Sequence, residues 1–339
     1  MTLSYTCGPW GETLAEQVAA AQAAEAAGFE RAWVAELHRS AFTPAAAIAA
    51  QTEHLGIGTA IAWAFPRSEM ITALSALDLD DLSDGRFVLG LGAGVKRLIE
   101  DWHNADFGKP APHLRETVAV IRQFIAQAHT GERMTYEGEW VKVDVKGYER
   151  PFPPRRTAIP IYLAAVGPIM TRLTGEIADG WIAHELGSPA YLDQQILPKL
   201  AEGARRGGRK PEDITRVVSA CCVPYHDAAQ AKRWAAGLVA FYASVRTYTD
   251  FFAFHGFEAE ARQVQDRFRE GDAQGMLDAV PDEMVDTFTA AGTPDEVRER
   301  IRRYEGVADV VKLTPPTHHV DPEVTRLAQD AIFEVFAAT

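Results

Sequence analysis

The feature that most constrains this chain is a repeated alternation of two hydrophobic patterns. Short apolar runs occupy Thr2–Thr6, Arg31–Ala35, Gly56–Trp63, Arg86–Leu91, Pro160–Ala165, Gly180–Ala183, Ile214–Cys222 and Val307–Leu313. Longer segments of helical period separate them, near 12–27, 43–54, 68–82, 113–129, 168–178, 189–206, 227–247 and 294–305, with a last helix at about 322–337. Apolar runs alternating with amphipathic helices read as βα units and a parallel sheet. Eight such units close into a (β/α)8 TIM barrel. Paired dinucleotide-binding halves would need more strands and a linker, and no Pro/Ser-rich linker is present. The expected organisation is a single domain over 1–339.

Two stretches interrupt the repeat. Residues 131–157 alternate polar and apolar side chains around a Glu137-Gly138 turn, which predicts an inserted β-hairpin. Residues 248–292 open with Tyr248, Phe251, Phe252, Phe254 and Phe257 and continue with helical period. They predict a mostly helical insertion between the seventh and eighth strands. Its aromatic residues either line a substrate pocket or form a helical mini-core. Insertions of this barrel are expected on the C-terminal face, which carries the active site.

Charge and cysteine content narrow the partners. The net charge of −13 disfavours nucleic acid, which selects a basic stripe. No apolar run approaches the ~20 residues that span a bilayer. The N-terminal MTLSYTCGPWGE has neither the basic region nor the apolar core of a signal peptide, so a cytoplasmic location is expected. Cys7, Cys221 and Cys222 have no CxxC spacing, and no HExxH pattern appears, so no metal is expected.

Several strand ends carry residues suited to chemistry. Glu36 and His38 leave the second strand on one face. Imidazole exchanges protons near neutral pH, and a carboxylate can orient it. The third strand places Gly58, Ala60 and Ala62 on one face, either to admit a flat ligand or to pack the barrel interior. Trp63 stands near its end, and Arg67 follows as a candidate partner for phosphate or carboxylate. The fourth strand ends in Gly90, Gly92 and Gly94, then Val95, Lys96 and Arg97. That run is not the GxGxxG of a dinucleotide fold. Its glycines are expected to admit a ring or a phosphate to the backbone, with Lys96 and Arg97 neutralising an anion. After the fifth strand, Val166-Gly167-Pro168 opens a helix. Proline suits the first helical position, and the N–H groups of Ile169, Met170 and Thr171 form a potential anion site. His184-Glu185 and His318-His319 follow the sixth and eighth strands on the same expected face.

Four segments together resemble the bacterial luciferase-like flavin and deazaflavin superfamily: GFERAWVAELH (28–38), LGIGTAIAWAFPRSEM (55–70), LSDGRFVLGLGAGVK (82–96) and IPIYLAAVGPIMTRLTGEIADGW (159–181). The last is most similar to oxidoreductases that use coenzyme F420. The resemblance implies a non-prolyl cis peptide at Ala60-Ile61 behind the coenzyme ring. It implies ribityl contacts from Gly92, Ala93, Gly94, Val95 and Lys96, and a phosphate-side grip from Ala165, Val166, Gly167, Pro168 and Met170. Glu36 and His38 fall in an acid-His-His motif whose first histidine is Leu37 here. A glutamate of the sugar-phosphate dehydrogenase branch is Val95 here, so sugar-phosphate oxidation is not expected. The expectation is F420-dependent hydride transfer to or from a small organic substrate, with His38, Glu36 and Trp63 as candidate catalytic residues. Alternatives are an FMN-dependent monooxygenase fed by a separate reductase, or a non-catalytic ligand-binding barrel. A homodimer is the usual assembly of the resembled family.

Overall fold

The computed structural model describes residues 3–337; the expected start of the first strand at Thr2 and the chain ends at 1 and 338–339 lie outside the described residues. Among the described residues there are twelve strands: β1 (Ser4–Cys7), β2 (Arg31–Val34), β3 (Gly56–Thr59), β4 (Ala62–Trp63), β5 (Phe87–Gly92), β6 (Met134–Glu137), β7 (Lys142–Val145), β8 (Ile161–Ala164), β9 (Gly180–Ile182), β10 (Thr215–Pro224), β11 (Ala290–Gly292) and β12 (Val310–Thr314). Eight of them, β1, β2, β3, β5, β8, β9, β10 and β12, form a closed parallel barrel. Closure is made by β12, which pairs with β10 (Val217↔Val310) and with β1 (Ser4↔Val310). The chain is therefore a (β/α)8 TIM barrel, as the alternation predicts. Helices begin where their caps stand: Thr13 and Glu16 form a capping box before Leu14–Ala26, and Thr293 with Glu296 does so before Pro294–Arg302.

One strand differs from expectation. The apolar run 56–63 is two strands, β3 and β4, separated by a cis peptide between Ala60 and Ile61. The backbone turns out of the β2 ladder there. Ala60 N–H still donates to Val34 O at 2.7 Å, but Ile61 O instead accepts Glu36 N–H at 3.0 Å.

The barrel interior is plugged by Trp33, Val88, Ile182 and Val217, with Tyr162 beside them. Trp33 Nε1 donates to Thr6 Oγ1 at 3.1 Å, which satisfies the buried indole. A Cβ on Gly58 would stand 2.4 Å from the Trp33 ring, and one on Gly180 would stand 2.7 Å from Tyr162. These glycines exist to make room for the plug. Burying about 200 Å² of indole at ~25 cal/mol per Å² contributes on the order of 5 kcal/mol. The larger core lies between barrel and helices.

Strands β6 and β7 pair antiparallel, Met134↔Val145 to Glu137↔Lys142. This hairpin follows the helix Pro110–Gln127 and climbs its flank. At its tip, the Glu116 carboxylate accepts the N–H groups of Glu139, Trp140 and Val141 at 2.8–3.0 Å. Trp140 stacks on His113, which stacks on Phe65 just beyond β4. The tip thus reaches the level of the C-terminal rim. Residues 228–288 fold into helices with a separate core of Phe251, Phe252, Val264, Met284 and Phe288. They form a roof over one side of the barrel mouth, touching it through Phe241, Tyr242 and Tyr248.

Candidate functional site

The C-terminal mouth has two unlike halves. The half formed by β3, β5 and β8 is apolar. Ala60, Ile61 and Ala164 are half-buried against the barrel plug and face the mouth. Thr59 Oγ1 binds Gly90 O at 2.7 Å and Gly90 N–H at 2.9 Å, locking β3 to β5. The glycines of this strand are occupied, contrary to the expectation of open approach. A Cβ on Gly90 would meet Thr59 O at 1.8 Å, and one on Gly92 would meet Ile61 Cδ1 at 2.2 Å. Beyond Gly92, Ala93 is half-buried and Gly94 to Arg97 are exposed, with Gly94 at φ +70. Lys96 Nζ is 3.7 Å from Glu100 Oε1, an exposed pairing on the rim that contributes little to stability.

After β8, Trp181 Nε1 donates to Ala165 O at 2.9 Å and fixes the exit of the strand. Val166, Gly167 and Pro168 are exposed, and Met170 is half-buried. Thr171 N–H is spent on Gly167 O at 2.9 Å, so it is not a free donor as the sequence suggested. The N–H groups of Ile169 and Met170 have no partner among the described residues, and no side chain caps the helix. Gly167 has an ordinary φ of −80, and a Cβ there would meet nothing within 4 Å. Neither strain nor packing asks for glycine at this position.

The candidate catalytic residues are not brought together as one proton-handling group. Glu36 is nearly buried, 7% exposed, and its carboxylate is fully engaged. Oε2 accepts Trp63 N–H at 2.8 Å and Arg67 Nη1 at 2.7 Å, and Oε1 accepts Arg67 Nη2. Arg67 therefore finds its carboxylate inside the protein. His38 is exposed and makes no hydrogen bond or ion pair among the described residues. Trp63 is buried edge-on to His103, with ring centroids 5.0 Å apart. Leu37 is exposed at the same rim.

The other half, from β9, β10 and β12 under the roof, is polar. Lys312 is buried in β12, and its Nζ lies 3.9 Å from Glu185 Oε1. Tyr242 donates to Glu185 Oε2 at 3.3 Å. Tyr248 Oη is 2.8 Å from His184 Nε2, and Leu186 N–H donates to His184 Nδ1 at 3.2 Å. Burial pushes the His184 imidazole down to about 4, with Lys312 adding to the shift and Glu185 opposing it. Burial and the Glu185 charge raise Tyr242, and the same two causes push Tyr248 up to about 12. His318 stacks near Phe241 and is also lowered by burial. Sequence reading placed His184-Glu185 and His318 at this rim but missed Lys312 and Tyr242. A lone lysine inside the run VVKLT was the available signal. Among the described residues, no three His, Cys, Asp or Glu side chains are placed to hold a metal ion. No helix there is long and apolar enough to cross a membrane.

A parallel barrel with an open helix start and an apolar ledge at its C-terminal mouth defines a ligand-binding barrel of the enzyme type. The chain belongs to the luciferase-like monooxygenase family, whose model matches residues 2–309. It is 30% identical over 302 residues to the 5,10-methylenetetrahydromethanopterin reductase of Methanolobus tindarius, covering 87% of this chain and 89% of that protein. It is also 30% identical over 328 residues to a putative coenzyme F420-dependent oxidoreductase of Mycobacterium tuberculosis, covering 90% and 92%. The coenzyme F420-dependent tetrahydromethanopterin reductase of Methanopyrus kandleri has the same fold, with a TM-score of 0.84 at 24% identity over 98% of both chains.

Proposed function

We propose that the protein is a coenzyme F420-dependent oxidoreductase that transfers a hydride between the deazaflavin and a small organic substrate. The observation that carries this reading is the pairing of Gly167 with an apolar ledge. Gly167 leaves open space beside two unpartnered N–H groups, on Ile169 and Met170, where a phosphate is accommodated. The half-buried Ala60, Ile61 and Ala164 offer a flat apolar support for a ring. Residues Gly92 to Lys96 lie between these two features and would follow the ribityl chain. Ala165 and Val166 would flank the phosphate side with Pro168. When bound, the deazaflavin supplies two-electron hydride chemistry. The names of the mycobacterial relative and of the structural neighbour above support F420.

In this reading Glu36 is a positioning residue. Its carboxylate holds the Trp63 backbone and Arg67 in place behind the ledge. Trp63 shapes the pocket wall, and His38, exposed at the rim, exchanges a proton with solvent. The family name favours a second reading, an FMN-dependent monooxygenase with a separate reductase. Titration of the purified protein with F420 and with FMN, followed by fluorescence quenching, separates the two. F420 binding is expected. Micromolar FMN binding without F420 binding overturns the proposal, and binding of neither favours a non-catalytic barrel. The His38→Ala variant is expected to lower turnover with little change in F420 affinity.

A further inference from the structure

In the reading above, the half of the barrel mouth under the roof is left for the substrate. There, hydrogen bonds fix where the protons sit. His184 Nδ1 accepts the backbone N–H of Leu186, so that nitrogen carries no proton. A neutral imidazole has one N–H. It is on Nε2, and it donates to Tyr248 Oη at 2.8 Å. Tyr248 is thereby an acceptor toward His184, and its own O–H is left to point elsewhere. Tyr242 differs, because it spends its O–H on Glu185. Tyr248 has no other side-chain partner among the described residues. It is half-buried, packed against the roof core on one side and against the His184 ring at the mouth on the other.

We propose that Tyr248 is the catalytic proton donor to the oxygen of a carbonyl substrate, an aldehyde or ketone, with His184 as the positioning residue behind it. This rests on the hydride-transfer reading above. The balance is complete. The hydride adds to the carbonyl carbon, and the π pair of the C=O bond moves to oxygen. The Tyr248 O–H bond breaks as the new O–H bond forms on the substrate. The carbonyl is reduced to an alcohol, and the hydride donor is oxidised by two electrons. The tyrosinate left behind keeps the hydrogen bond from His184 Nε2, and Lys312 lies in the same cluster as a nearby positive charge. Solvent returns the proton. His184, Glu185 and Tyr242 surround Tyr248, and the raised Tyr248 keeps its proton at rest. A protonated phenol is a donor and a poor base, which fits reduction of a carbonyl better than oxidation of an alcohol.

The probe is 4-(dimethylamino)cinnamaldehyde, whose absorption moves to the red when its oxygen receives a strong hydrogen bond. It is added to protein saturated with oxidised F420, and its difference spectrum is recorded. The wild-type protein is expected to give a red shift that Tyr248→Phe abolishes. His184→Leu is expected to weaken the shift, and His184→Gln to retain it, because the amide N–H can still donate to Tyr248. With reduced F420, turnover of the same aldehyde is expected to fall about 10²–10⁴-fold in Tyr248→Phe. F420 affinity is expected to stay within about twofold, as it should for a residue that acts only on the reacting oxygen. No shift in the wild type overturns the proposal, and so does an equal shift and equal turnover in Tyr248→Phe. If Tyr248→Phe does not fold, as judged by circular dichroism, the contrast between His184→Leu and His184→Gln decides, and equal spectra overturn. Failure of F420 to quench in the wild type refutes the hydride-transfer reading and takes this proposal with it. That result is read separately from the aldehyde spectrum.

Discussion

Glu36 was a candidate for chemistry, and its geometry makes it a tie instead. The decisive perturbation is Glu36→Gln, which keeps shape and removes charge. Oε2 accepts from Trp63 N–H and Arg67 Nη1, and Oε1 accepts from Arg67 Nη2. A glutamine can place its single carbonyl oxygen at the Oε2 position and keep two bonds. Its amide then points N–H groups at the Arg67 guanidinium. One charge-assisted bond is lost, and the guanidinium, 23% exposed, loses its counter-charge. A hydrogen bond to a charged group contributes about 1.5–3 kcal/mol, and breaking a buried pair costs about 3–5 kcal/mol. Part of each is retained here, so about 2–4 kcal/mol of stability is expected to go. At ~2.1 cal/mol/K per residue, unfolding 339 residues carries an entropy of about 0.7 kcal/mol/K. The expected fall in Tm is therefore ~3–6 °C. Scanning calorimetry of the wild type, Glu36→Gln, Arg67→Met and the double variant measures it. The two single effects should fail to add by about 1–3 kcal/mol. A Tm within ~1 °C of wild type, together with a large loss of turnover, would falsify the tie and restore Glu36 to the chemistry.

Two glycines give opposite expectations. Gly90→Ala forces a Cβ to 1.8 Å from Thr59 O inside the barrel, and more than about 4 kcal/mol is expected to be lost, seen as poor soluble yield or a collapsed melt. Gly167→Ala enters open space at φ −80, so stability should stay within ~0.5 kcal/mol while F420 affinity weakens about tenfold. An unchanged Kd would remove Gly167 from the coenzyme grip. The pH prediction concerns His184, pushed down to about 4 when folded and about 6.5 when unfolded. Between these values the unfolded chain binds the extra proton, so stability rises with pH and is lost on acidification from 6.5 toward 4. Up to about 3 kcal/mol is involved. Urea midpoints measured across that window should flatten in His184→Gln, and an unchanged slope refutes the assignment.

The barrel was legible because its strands are apolar on both faces and its helices are amphipathic, a contrast that survives in sequence. The break between β3 and β4 was not legible as periodicity, since the run stays apolar throughout. It was legible only through the resemblance. The small residues of β3 and β5 allowed two readings, and the structure separates them. Gly58 and Gly92 yield their space to Trp33 and Ile61, whose side chains come from other strands or from across the break. Glu36 misled because its partner Arg67 stands 31 residues away, and the curvature of the barrel brings them together. The polar half of the mouth was visible only as scattered letters. Tyr248 meets His184 across 64 residues, and no spacing rule joins a roof helix to a strand end.

The separate core of the roof has a consequence for how such a protein can change. Phe251, Phe252, Met284 and Phe288 pack among themselves and with the ends of β10 and β11. The ledge and the Gly167 helix start draw nothing from that core. Residues 228–288 apart from Tyr248 can therefore accept substitutions while the redox half of the barrel keeps its footing. Coenzyme holding and substrate handling sit in regions that inherit mutations independently. A library confined to Phe241 and its roof neighbours, with Tyr242 and Tyr248 kept, would search for new substrates at little risk to coenzyme binding.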